Sequence, residues 1–145
     1  MTPNSALTAV IARLTASGLT QVRSPLGTDR ASSQRISRSF AVKPASIRQA
    51  TSPSRGRPDV AGLRVTQDFD IELCHQIKPN DGQEAPSQAL TDLHTVWKHM
   101  SVIGSTLCGE GAISIGGATQ SYEGGGAFMV TRFSLSVTYN LSLVI

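Results

Sequence analysis

The last nineteen residues, Ala127 to Ile145, alternate so regularly that they limit what the rest of the chain can build. Met129, Phe133, Leu135, Val137, Tyr139, Leu141, Leu143 and Ile145 occupy the odd positions, and Arg132, Ser134, Ser136, Thr138, Asn140 and Ser142 the even ones. Side chains of a strand point to opposite faces with period two, so this run predicts a strand with one apolar and one wet face. At about 3.3 Å per residue it would reach roughly 60 Å if straight. A compact domain of this length is only about 40 Å across. Such a strand must bend, curl or reach past its own domain, which suits a subunit of a larger object better than a self-contained enzyme.

A second alternating run, Leu63 to Ile77, sets Leu63, Val65, Phe69, Ile71, Leu73 and Ile77 against Arg64, Thr66, Asp68, Asp70, Glu72 and Gln76. Leu7, Val10, Ile11 and Leu14 recur at i, i+3, i+4 and i+7, predicting a helix over 3–17 with its start at Thr2-Pro3 and its stop at Gly18. A second helix is expected over 86–103, after the turn Pro79-Asn-Asp-Gly82, with Leu90, Leu93, Trp97 and Met100 along one stripe and Gly104 as its stop. Eight of the thirteen glycines lie between Gly104 and Gly126. They predict a hairpin with Ala112 to Ile115 as one strand, a loop through Tyr122, and Gly124 to Gly126 leading into the terminal strand. Ser39 to Lys43 reads as a short strand. The expected fold is a single α+β domain over 1–145: a two-layer sandwich of a mostly antiparallel sheet with two amphipathic helices on one face, and a long basic arm at about 23–62.

Charge is divided unevenly. Residues 1–64 hold ten basic side chains against two acids, 10 − 2 = +8, and residues 65–145 hold three against eight, 3 − 8 = −5. The arm carries Arg23, Arg30, Arg35, Arg38, Lys43, Arg48, Arg55 and Arg57, interleaved with Ser, Pro and Ala and almost no aromatics. That pattern favours contact with protein, or passive neutralisation of a phosphate backbone, over reading of bases. Opposite charge on separate parts of one chain suits neighbouring copies of an oligomer. No apolar run approaches a membrane span, and Arg13 interrupts the first apolar stretch, which argues against a secretory signal. The two cysteines, Cys74 and Cys108, are expected as reduced thiols.

Catalytic signals are weak. Asp68, Asp70 and Glu72 line one strand face about 7 Å apart, and paired carboxylates can do acid–base work or hold a hard cation. With no second ligand segment converging, they read as a solvated or partner-facing surface. His94 and His99 are five apart on a helix and point roughly 140° apart, unlike a metal-binding i, i+4 pair. His75 falls on the apolar side of its strand and reads as a core residue. Cys108 has no base at a defined offset, and the glycine clusters lack a phosphate-loop ending. No enzyme, cofactor or metal site is expected.

The order of helix Ala6 to Leu14, irregular loop, long strand Leu63 to Ile77, helix, Gly-rich hairpin and closing strand FSLSVTYNLSLV resembles the tail-terminator (tail-completion) proteins of long-tailed bacteriophages. The resemblance lies in the sequence of elements over most of the chain, and the long basic arm departs from it. It implies a virion protein of the tail or neck, assembled in the host cytoplasm as a homo-oligomeric ring, taken as a hexamer. Such a ring ends tail-tube polymerisation and joins the tail to the head. Its partners would be the major tail tube protein, the head-completion or connector protein, and genome DNA passing without sequence-specific contact. The arm residues above, with Asp68, Asp70 and Glu72, are then the candidate inter-subunit or partner contacts. The alternative is a nucleic-acid-contacting protein lining a capsid or neck with its basic arm.

Overall fold

The computed structural model describes residues 2–22, 38–49, 62–78, 84–107 and 112–142. In chain order they form α1 (Pro3–Ala16), β1 (Thr20–Gln21), β2 (Ser39–Gln49), β3 (Gly62–Gln76), α2 (Glu84–Leu107), β4 (Ala112–Ile115), β5 (Thr119–Glu123) and β6 (Phe128–Ser142). The sheet runs β1-β2-β3-β6-β4, with β5 also on β6, and only β1 and β2 are parallel. This is the expected α+β sandwich with a mostly antiparallel sheet.

The two alternating runs find each other. β3 and β6 pair without a slip from Gly62↔Ser142 to Gln76↔Phe128. The register places Val65, Phe69, Ile71 and Leu73 beside Tyr139, Leu135, Phe133 and Thr131 on one face. There the apolar residues pack with Ala6, Val10 and Leu14 of α1 and Leu93, Val96 and Met100 of α2 in one buried core. A one-residue slip would turn every one of these side chains to the other face, so burial itself holds the register.

α1 begins at a reciprocal cap. The Ser5 amide donates to the Thr2 hydroxyl at 3.1 Å, and the Thr2 amide donates to the Ser5 hydroxyl at 2.9 Å. It ends at Gly18, whose φ of +88° suits glycine. α2 is longer than expected at both ends and runs through Gly104 instead of stopping there. A helical glycine costs only about 1 kcal/mol, which the flanking packing outweighs. Its buried line is Ala85, Ala89, Asp92, Val96 and Met100, so Leu90, placed by the sequence on the apolar stripe, is 56% exposed.

β2 is the main departure. The sequence predicts strand only as far as Lys43, yet the strand continues through Pro44 to Gln49 with a register shift between Pro44 and Ser46. Proline lacks an N–H and is tolerated on edge strands and at bulges, both of which apply here. The arm is thereby divided, with 39–49 in the sheet and 23–37 and 50–61 outside the described residues. β5 replaces the expected loop through Tyr122. β4 and β5 lie in line along β6, joined where the Gly116 amide donates to the Ser134 carbonyl at 2.8 Å. A Cβ at Gly116 would run into the Ser134 hydroxyl. The expected strand tail at 143–145 also lies outside the described residues.

Candidate interaction surface

Two polar assemblies hold the candidate residues, one on each side of the sheet. On the face away from the helices, Asp68, Asp70 and Glu72 alternate with the core positions of β3, as their sequence parity requires. The structure gives each a different fate. Asp68 accepts from the hydroxyls of Ser136 at 2.6 Å and Ser46 at 2.7 Å, and from the Arg48 guanidinium. Burial pushes its carboxyl up, but those donors and the Arg48 charge outweigh it and leave its pKa below the usual value. Asp70 is exposed and stands between Lys43 of β2 and Ser134 of β6 in the ladder. Glu72 is only 6% exposed, so it is not the solvated group the sequence suggested. It accepts from Arg132 Nε at 3.2 Å, and the same guanidinium bonds Ser121 and Glu123. Burial lowers the Arg132 pKa, but the two glutamates more than offset this and raise it.

The strand residues of this face are balanced. Lys43, Arg48, Arg64 and Arg132 stand against Asp68, Asp70, Glu72 and Glu123, 4 − 4 = 0. A surface evolved to neutralise phosphates would carry a surplus of cations. This one does not.

The second assembly lies at the end of the sheet where β2 begins, on the helical side. Arg38, at φ 56°, lays its guanidinium across Asp92 of α2, with Nε 3.1 Å from Oδ2 and Nη2 3.0 Å from Oδ1. Asp92 also takes His75 Nε2 at 2.7 Å and Gln88 Nε2 at 3.0 Å. Both Asp92 and His75 are buried. Burial pushes the Asp92 carboxyl up, but the bonds from Arg38, His75 and Gln88, with the Arg38 charge, hold it below the usual range. The same bond and charge raise Arg38. His75 Nδ1 has no hydrogen-bond partner among the described residues. A left-handed backbone is uncommon for a non-glycine residue, and here the forked ion pair holds it in place. The signal was available: a carboxylate interrupts the buried line Ala85, Ala89, Val96 and Met100 at a core position of α2.

Of the eight basic arm residues, Arg38 and Arg48 are thus engaged by carboxylates of their own chain, and Lys43 is exposed on the edge strand. Arg23, Arg30, Arg35, Arg55 and Arg57 lie outside the described residues. His94 is exposed and His99 half-buried, and no group of three or more His, Cys, Asp or Glu gathers among the described residues. Among them, too, no helix is long and apolar enough to cross a membrane. The fold and its polar surfaces define a two-layer α+β domain. No protein-family model matches the chain, and no curated protein matches it.

Proposed function

We propose that this chain is a structural subunit of a phage neck, a tail-terminator-like protein that closes into a ring at the head-proximal end of the tail tube, ends tube growth and joins tail to head. The supporting observation is β2. From Lys43 to Gln49 every residue is exposed, although the strand is hydrogen-bonded along β3. Beyond Phe40 its other edge has no strand partner among the described residues. A sheet whose margin extends past the body that covers it offers a neighbour both backbone and side chains. Lys43, Pro44 and the bulge guard this edge against indiscriminate strand pairing. Contact through side chains therefore suits it better than addition of a strand, and Lys43, Ile47 and Asp70 are the exposed groups to meet a neighbouring copy. A ring uses heterologous contacts, so this margin of one copy would meet a different patch on the next.

Mass photometry of the purified chain, alone and with tail tube protein, tests the reading. A closed oligomer, or one that forms on the tube end, is the expected result, and Lys43→Glu with Ile47→Asp should reduce it at least tenfold. A monomer indifferent to tube protein at micromolar concentration would defeat it. The electroneutral outer face and the engagement of Arg38 and Arg48 do not favour nucleic-acid coating.

A further inference from the structure

A two-layer sandwich covers one face of its sheet, yet here part of the other face is also buried. Ala41, Cys74, Phe128 and Val130 are 1%, 9%, 3% and 1% exposed. None belongs to the core formed with the helices. The ladder explains why: Ala41 pairs with Glu72, Cys74 with Val130, and Gln76 with Phe128, all on the parity opposite to Ile71 and Leu73. Ser39, paired with Cys74, is equally hidden at 1%. Arg132 and its glutamates account for cover over β5 and β6. No described element lies beyond β2 to hide Ala41 and Ser39 at the sheet margin.

We propose that this end of the outer face is the seat of the chain's own residues 23–37. Their two attachment points are next to the seat. Val22 donates its amide to the Phe40 carbonyl at 2.9 Å, and Arg38 leads directly into Ser39. Fifteen residues anchored at both ends reach out and back by about 23 Å, and crossing from β2 to β5 takes only about 14 Å. Residues 50–61, 108–111 and 143–145 adjoin Gly62, Ala112 and Ser142, at the far end of the sheet. Residues 79–83 are few and lead to α2 on the helical side. Composition agrees with this assignment. Leu26 and Ile36 supply apolar side chains for Cys74, Phe128 and Val130. Arg23, Arg30 and Arg35 against Asp29 give 3 − 1 = +2, facing Arg132 against Glu72 and Glu123, 1 − 2 = −1. Arg23, Arg30 and Arg35 are thereby assigned to their own subunit, whichever oligomer the chain forms.

Cys74 reports on the seat. In a full-length Cys108→Ser chain it is the only thiol, and its alkylation rate measures cover over the face. Replacing residues 24–36 by a Gly/Ser linker of equal length should raise that rate at least tenfold. Leu26→Asp, a milder change that keeps the segment, should raise it severalfold if the linker chain does not fold. Rates unchanged in the folded variants would overturn the proposal. So would protection in the parent that fades on dilution, since that would assign the cover to a second copy.

Discussion

Two arginines from the same stretch of chain each meet an aspartate, and the two pairs differ in almost everything else. Arg48 reaches Asp68 on the outer face, where the arginine side chain is 57% exposed and the carboxylate 22%. Arg38 reaches Asp92 on the helical side, where the carboxylate is 3% exposed and also holds His75 and Gln88. Coulomb attraction between exposed charges is weakened by water and salt and opposed by the entropy of two ordered side chains. A buried carboxylate with every acceptor position occupied leaves several donors stranded if it is removed. The chain thus uses one chemical pair as a surface decoration in one place and as a structural junction in the other.

Removing Asp92 tests this difference most severely. Asp92→Ala strands the His75 and Gln88 donors and the Arg38 guanidinium, and should cost about 3–5 kcal/mol in urea unfolding. Asp92→Asn retains the shape and acceptor but not the charge, so its cost should be smaller. Equal and small losses in both variants would show that the junction contributes little beyond its volume.

The contrast also explains what could be read in advance. β3 and β6 were legible because one face of each is buried, and burial imposes period two on the residues. Ala112 to Ile115 stood out because glycines frame it. β2 was hidden by Pro44, which speaks against a strand unless the strand lies at an edge, and sequence alone does not say which strand is at the edge. Gly104 misled in the same way, since packing around α2 overrides a local stop signal. At the outer face the positions of Asp68, Asp70 and Glu72 were readable from parity. Their separate fates were not, because Arg132 approaches Glu72 from sixty residues away. The Arg38–Asp92–His75 junction joins three distant segments, and only the misplaced carboxylate on the helix betrayed it.

Acid should separate the two pairs next. Asp92 is held below its ordinary pKa in the folded state, so the folded protein binds its proton less readily than the unfolded chain does. The stabilisation is then complete above the unfolded value of about 3.9 and is lost as pH falls through the lower folded value. Urea midpoints from pH 6 down to pH 2 should fall steeply at the acid end, and Asp92→Asn should flatten part of that fall. Asp68 is depressed in the same direction, but its exposure discounts the effect. A profile in which Asp68→Asn flattens the acid limb more than Asp92→Asn would reverse the ranking of the two pairs.

The smallest effect should come from Arg48 itself. Arg48→Ala removes one donor from Asp68 and leaves the Ser46 and Ser136 hydroxyls in place, so the carboxylate is never stranded. The loss should be about 0.2–1 kcal/mol at low ionic strength and smaller still in molar salt, where charges beyond about 3 Å are screened. The same salt should leave the Asp92→Ala deficit nearly intact, because its cost lies in unmet buried donors and not in attraction through solvent. Paired urea titrations of both variants at two salt concentrations measure this directly. If salt erased the two deficits in equal proportion, the junction at Asp92 would be electrostatically no deeper than the ladder on the open face, and the distinction between them would rest on packing alone.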